Sequence, residues 1–328
     1  MTTRRQWLIT LGAAAIAAGR LRAQDRARVP RIGVLSNASP QPRPPASVEA
    51  LLEGLRALGY VEGRTIQIEF RWAEGNVQRL PELAADLVRS GVELIVATGD
   101  APTRAARAAT SRLPIVMATS GDAVGAGFVS SLARPGGNVT GMTAINPELG
   151  AKRLQLLREM LPTASRVAVL WNPVDAAHAL ELNAVQLAAP QLGVTLLALA
   201  LRAPADLDKV FIDLSRQRMD ALIVFNDTTT FEARERILQL AGESRIPAMY
   251  EAAEWADAGG LVAYGVTHAD LFRRSAEHID RILKGARPAD LPVEQPTRLR
   301  LSVNRKTAAA LGINVPQSIL LRADRVIE

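Results

Sequence analysis

The chain alternates short apolar runs with longer stretches of helical spacing. Five runs each end in a small polar cluster: RIGVLSN (31–37), ELIVATGD (93–100), PIVMATSGD (114–122), RVAVLWNP (166–173) and DALIVFND (220–227). Runs of this length, rich in β-branched residues, predict parallel strands buried on both faces. Between them the spacing predicts helices. Leu51, Leu52, Leu55 and Leu58 share one face of a stretch that Ser47 opens as a cap and Gly59 stops. Further helices are expected at 80–89, 102–110, 148–161, about 175–189, 205–217, 229–241, 269–284 and 305–311. Strands are also expected at 65–71, 139–143, 194–198, near 246–249, at 259–265 and at 299–303. Two series of alternating strands and helices follow one another, so the expected fold class is α/β. It has two doubly wound parallel-sheet lobes joined by several extended crossings. The predicted division places 30–143 and about 265–290 in lobe one, and 144–264 and about 297–328 in lobe two.

In open α/β sheets a ligand sits beyond the carboxyl ends of the strands. Ser36, Asn37, Thr98, Gly99, Thr119, Ser120, Asp122, Asn172, Asn226 and Asp227 all stand at such ends. They are hydrogen-bonding residues without a catalytic set, which points to binding rather than chemistry. Each has a structural alternative. Asp122 either accepts from a ligand ammonium or hydroxyl, or caps the next turn. Asp227 either meets a ligand amine or caps the helix that follows. The hydroxyls and amides at the other ends suit a carboxylate or phosphate, or simply cap their own helices. Trp171 offers a stacking face to a planar ligand, or packs under the loop at Asn172-Pro173. Tyr250 is the second aromatic candidate.

Composition narrows the classes. Of 328 residues, 48% are hydrophobic, enough for a sizeable core, and 4% are aromatic, so Ala and Leu carry the packing. Arg4 and Arg5 precede an apolar stretch from Trp7 to Ala18, and Leu21-Arg22-Ala23 follows. This is the layout of an export signal ending near residue 23, by the Sec or the twin-arginine route. Without that segment, 35 basic residues face 33 acidic ones, a balance of +2. The charges are interspersed and give no nucleic-acid footprint. The sequence contains no cysteine. That removes disulfides, thiolate metal sites, thiol nucleophiles and a lipid-modified N-terminal cysteine, so the expected product is exported, soluble and periplasmic. His178, His268 and His278 are too scattered for a zinc site. Gly121, Gly125 and Gly127 do not have dinucleotide-loop spacing, and Ser130-Ser131 lacks a nucleophile elbow. No cofactor, no metal and no enzymatic activity are expected.

Longer segments carry a resemblance. EGLRALGYVEGRTIQIEFRWAEG (53–75), GDAVGAGFVSSL (121–132), ARPGGNVTG (133–141), VLWNP (169–173), LKGARPADLPVEQP (283–296) and LLRADRVIE (320–328) resemble the ABC-transporter substrate-binding proteins of the tryptophan/tyrosine-binding-like group. The resemblance implies the type 1 periplasmic-binding fold. It implies a monomeric receptor that traps a small polar or aromatic, amino-acid-like solute and delivers it to an ABC permease with a cytoplasmic ATPase, touching the membrane only through that transporter. A sensing module acting on a membrane partner is the alternative, and an enzyme on the same scaffold a third. Two departures stand out. Asp122-Ala123-Val124-Gly125 replaces the family's Asp-Pro-Val-Gly, and Ala252-Ala253-Glu254 follows Tyr250-Glu251 where an Arg-Glu pair is common.

Overall fold

The computed structural model describes residues 29–40, 44–144 and 146–328. The expected export segment at 1–23 lies outside them, as does the centre of the proline loop at 41–43. The first series contains β1 (Arg31–Ser36), α1 (Ala46–Ala57), β2 (Gln67–Trp72), α2 (Leu80–Ser90), β3 (Leu94–Ala97), α3 (Asp100–Ala109), β4 (Ile115–Met117) and β5 (Val139–Gly141). The second contains α4 (Asn146–Met160), β6 (Arg166–Trp171), α5 (Ala176–Ala188), β7 (Thr195–Ala200), α6 (Leu207–Arg216), β8 (Ala221–Val224), α7 (Thr228–Glu232), α8 (Arg234–Glu243), β9 (Ala248–Ala252), α9 (Ala253–Asp257) and β10 (Val262–Val266). It is followed by α10 (His268–Leu283), β11 (Arg300–Asn304), α11 (Arg305–Leu311), α12 (Gln317–Arg322) and β12 (Arg325–Ile327).

The strands make two sheets, ordered β2-β1-β3-β4-β5 and β12-β11-β10-β9-β8-β6-β7. All pairs in the first are parallel. The second is parallel except where β10 meets β11. That antiparallel pair departs from the all-parallel expectation, and β12 and α12 extend the sheet lobe beyond the predicted elements. Each sheet reverses its winding once, between β1 and β3 and between β6 and β8. Such a reversal leaves a crevice at the strand carboxyl ends.

Burial follows the apolar runs. Ile32, Val34, Leu94, Val96 and Val116 are solvent-inaccessible on one face of the first sheet. α1 and α10 cover that face together, with Leu51, Leu55, Phe272, Ala276 and Ile279 at its centre. Each buried Leu or Ile contributes about 1.5–3 kcal/mol. The helices cross at Gly54, where a Cβ would stand 2.5 Å from the Arg273 carbonyl oxygen. α10 thus follows a strand of the second sheet but packs on the first. The chain crosses between sheets after β5, after β10 and before β11. The crossings pair: Thr143 N–H donates to the Glu294 carbonyl at 2.9 Å, and Glu294 N–H to that of Gly141 at 2.9 Å. Met142, Ala144, Val266 and Leu271 form a small apolar cluster between the lobes.

Two local expectations are corrected. Ser47 does not cap α1, which begins after Pro45 with no side-chain cap. The single helix expected over 229–241 is two, because Asp227 caps a short first turn and the chain bends at Ala233 (φ −80°, ψ 9°).

Gly141 has φ +128°, and a Cβ there would collide with the Met117 backbone of the neighbouring strand. Gly141→Ala is expected to lower stability by at least about 2 kcal/mol in urea unfolding. Gly137→Ala, in open space at an unstrained position, should change it by less than about 0.5 kcal/mol.

Candidate functional site

In the first lobe, β1 ends at Ser36, whose Oγ accepts from the Ala38 amide at 3.1 Å and from Thr98 Oγ1 at 3.0 Å. That bond ties the tips of β1 and β3 across the winding reversal. Gly99 follows, its carbonyl accepting from Thr103 Oγ1 at 2.8 Å, and α3 opens on Asp100. Asp100 is 9% exposed, and its Oδ1 has no hydrogen-bond partner among the described residues. Burial, reinforced by the charge of Asp175, pushes its carboxyl up to about 7. Ser120 at the end of β4 is also buried, with its Oγ unpaired.

The second lobe presents a connected network. Trp255 Nε1–H donates to Asn226 Oδ1 at 2.8 Å. An indole only donates, so this bond identifies the amide oxygen and turns Asn226 Nδ2 toward His268 Nε2, 3.2 Å away. His268 Nε2 then accepts, and its proton sits on Nδ1, 3.8 Å from Glu254. Asn172 Nδ2 donates to Asp227 Oδ2 at 2.6 Å, while Asp227 Oδ1 accepts from the Thr230 amide at 2.8 Å. His178 Nδ1 accepts from the Asn172 amide at 2.9 Å, so a neutral ring carries its proton on Nε2, which has no partner. Full burial disfavours a second proton on that ring, while Asp175, Asp227 and Glu251 favour it and lift it above the ordinary histidine value. Gaining that proton would break the Asn172 bond.

Behind these groups lies Arg153, 0% exposed. Its Nη1 donates to Glu181 at 2.5 Å and to Glu251 at 3.1 Å, and its Nε to the Tyr264 carbonyl at 2.8 Å. Glu251 Oε2 accepts from Asn146 Nδ2 at 3.1 Å and from the Asn226 amide at 3.0 Å. Burial first, and the charge of Glu251 second, hold the Glu181 carboxyl well above the usual range. One buried guanidinium therefore faces two buried carboxyls.

The two sets of strand ends face one cavity of ≈ 940 Å³. The lobes approach closely around it. A Cβ on Gly121 would stand 2.9 Å from Ala177 Cβ, and one on Gly99 would stand 3.6 Å from Thr228 Cγ2. Of the residues singled out from sequence, Ser36, Thr98, Gly99, Thr119, Ser120, Asn172, Asn226 and Asp227 line the cavity. Asn37, Asp122, Trp171 and Tyr250 do not. The Asn37 side chain is buried off the cleft, its carbonyl accepting from Gly75. Asp122 Oδ1 caps its own turn, accepting from Val124 and Gly125 amides at 3.1 and 2.9 Å. Trp171 packs against the second-lobe core. Tyr250 is 1% exposed and stacks on Trp255 at 4.7 Å. Asp227 both lines the cavity and caps α7.

Sequence reasoning passed over Asp100, Asp175, His178, Arg234, Glu251 and His268, all of which line the cavity. Asp100 was the last residue of a strand-tip run, and Glu251 directly follows Tyr250. His178, Arg234 and His268 sit on helices and gave no such signal. Arg234 lies over the Phe231 ring at 4.4 Å, with its Nε unpaired among the described residues. Among the described residues no group of three or more acids or histidines is placed to hold a metal ion.

Two α/β lobes with parallel-dominated sheets, three crossings and a shared cleft define the type 1 periplasmic-binding architecture. The chain belongs to the ABC transporter substrate-binding protein family, whose model matches residues 40–327. It is similar to a tyrosine-binding protein of Clostridioides difficile (strain R20291), 24% identical over 268 residues, or 81% of this chain and 76% of that one. A domain from Streptococcus pneumoniae solved in complex with L-Trp covers 92% of this chain and 100% of its own, with TM-score 0.84 and 27% identity. A conserved domain protein of Vibrio cholerae covers 91% and 100%, with TM-score 0.85 and 25% identity.

Removing the buried cation strands two carboxyls. Arg153→Met is expected to cost about 3–5 kcal/mol in urea unfolding at pH 7. Glu181→Gln, which keeps the shape of a side chain whose charged form burial disfavours, should cost under about 1 kcal/mol. Equal losses in the two variants would overturn the primary role given to the guanidinium.

Proposed function

We propose that this protein is an extracytoplasmic receptor that captures a small amino-acid-like solute between its lobes and delivers it to an ABC importer. One observation carries the reading. The winding reversals of both sheets open on the same cavity, and polar residues from both lobes line it: Ser36, Thr98, Asp100 and Ser120 from one, Asn172, Asn226 and Asp227 from the other. A solute that hydrogen-bonds to both sets joins the lobes. The relatives, one tyrosine-binding and one solved with L-Trp, direct the choice toward amino acids with aromatic side chains. Phe231 and Phe272 are among the residues that line the cleft. Ser36, Thr98, Gly99, Thr119, Ser120, Asn172, Asn226 and Asp227 are the proposed contacts within it. Asp122, Asn37, Trp171 and Tyr250 act behind it as supports.

In this reading the lobes are rigid and the three crossings bend. The basic and apolar start of the chain directs export, and a permease with its ATPase receives the solute from the closed form. The protein acts as a monomer, and no catalytic step is involved.

A thermal-shift screen of purified protein lacking residues 1–23, against amino acids, purines and small carboxylates, tests the reading. A true ligand at a hundredfold excess over its Kd stabilises by about 2.7 kcal/mol. That corresponds to a rise in Tm of roughly 5–10 °C at this chain length, with the ligand recovered unchanged. Absence of any hit together with turnover of a screened compound would replace the receptor with an enzyme.

A further inference from the structure

The cavity is not confined to the facing strand ends. On the first-lobe side it continues between two helices of that lobe. Val77, in the turn before α2, and Leu80 and Pro81 at its start form one wall, and Ala101, Ala105 and Ala108 of α3 form the other. Leu80 and Ala105 are buried in one core cluster and make the floor. The three alanines fall at i, i+4 and i+7, so they share one face of α3. Val77, Pro81 and Ala108 are exposed, so the groove runs from the cleft out to solvent. These walls offer no side-chain donor or acceptor. A polar group lying there would lose water without gaining a partner, whereas an apolar group would bury its surface.

Length and charge narrow the occupant. Ala101 to Ala108 covers about 10 Å of helix, the reach of about three extended residues. The whole cavity, ≈ 940 Å³, stands near the top of the range of roughly 300–1,000 Å³ that encloses drug-sized ligands, more room than one amino acid fills. Arg104, on the flank of α3 beside the alanines, also lines the cavity. It is exposed, its guanidinium lies over the Phe128 ring at 5.4 Å, and it makes no ion pair among the described residues. An apolar chain that ends in a carboxylate matches both the walls and this rim.

We propose that the solute is a short apolar peptide: its amino-terminal residue occupies the cleft, its next residue lies in the groove between α2 and α3, and its terminal carboxylate meets Arg104. The proposal rests on the cleft being a solute site, and it extends the amino-acid-like class to peptides of two or three residues. The groove belongs to one lobe, so it adds affinity and selects length without taking part in closure. Burying a leucine-sized side chain there raises affinity about tenfold or more, and the exposed carboxylate–guanidinium contact adds a few-fold.

The test is calorimetric titration of the purified protein with L-tryptophan, L-tryptophanyl-L-leucine and L-tryptophanyl-L-leucinamide, and with the same three compounds built on tyrosine. In the series that binds, the dipeptide is expected to bind at least about tenfold tighter than the free amino acid, and the amide about threefold weaker than the dipeptide. Ala108→Trp, which fills the outer groove from an exposed helix position, should cut the dipeptide's advantage over the amino acid to under about threefold. Arg104→Gln should remove the difference between dipeptide and amide. Thermal melts confirm that both variants fold. Asp208→Asn, at an exposed ion pair outside the cavity, should keep both ratios. Free amino acids binding as tightly as the dipeptides, or a dipeptide advantage that survives Ala108→Trp, would overturn the peptide groove and leave the amino-acid receptor standing. A difference between dipeptide and amide untouched by Arg104→Gln would overturn the carboxylate contact. Binding of dipeptides without free amino acids would bear out the groove and narrow the receptor to peptides. Failure of every probe to bind would overturn both readings.

Discussion

A single buried guanidinium organises the second lobe. Arg153 reaches from α4, the first helix after the chain leaves β5, to α5 through Glu181, to β9 through Glu251 and to β10 through the Tyr264 carbonyl. The neighbouring sequence makes room for it. Gly265 passes so close to Arg153 that a Cβ would lie 3.1 Å from Nη2, and a Cβ on Gly150 would lie 2.9 Å from Glu181 Cγ. Buried ion pairs contribute little net stability against an apolar alternative. Their value here is geometric. Glu251, held by Arg153 and Asn146, holds the Asn226 amide in turn, and Asn226 sets the orientation of His268. The polar floor of the cleft thus traces back to one cation.

The first lobe solves the same problem differently. Its cleft face has no buried cation among the described residues, only the hydroxyls of Ser36, Thr98 and Ser120 and the carboxyl of Asp100. A connected network thus faces a sparser one across the cleft. Between the lobes the chain passes three times, and those passages hold one another through two backbone hydrogen bonds and a four-residue apolar cluster. Local opening is easiest where few buried contacts must break. The small hinge cluster, set beside the extensive cores of each lobe, places the deformable part of the molecule at the crossings.

The architecture could be read from sequence because its strands are buried on both faces. LIVA and ALIV admit no alternation, and the polar residue that ends each run marks the strand's carboxyl end. Winding direction then puts those ends at a crevice, which is why Ser36, Thr98, Ser120, Asn172 and Asn226 line the cavity. The same property hid the orientation of individual side chains. β9 is buried along its whole length, so nothing in AMYEA tells that Tyr250 turns into the core while Glu251 reaches the cleft. Asp122 stands off the cavity for a local reason. An aspartate two residues before free amides closes an Asx turn on them, and nothing distant competes for it. His178 and His268 were legible only as isolated histidines, because their partners, Asn172 and Asn226, lie 6 and 42 residues away in sequence. β12 and α12 were missed because a short edge strand and a six-residue helix carry too few residues to show a period.

Buried polar atoms limit how the seam between the lobes is finished. A buried polar atom without a partner costs about 1–3 kcal/mol. Asp100 Oδ1 and His178 Nε2 have no partner among the described residues, and both belong to residues that line the cavity. The lobes meet at this seam without completing one another's hydrogen bonds. In the proposed receptor, selectivity then resides less in the shape of the cavity than in how a guest pairs with the polar groups that both sets of strand ends bring to it.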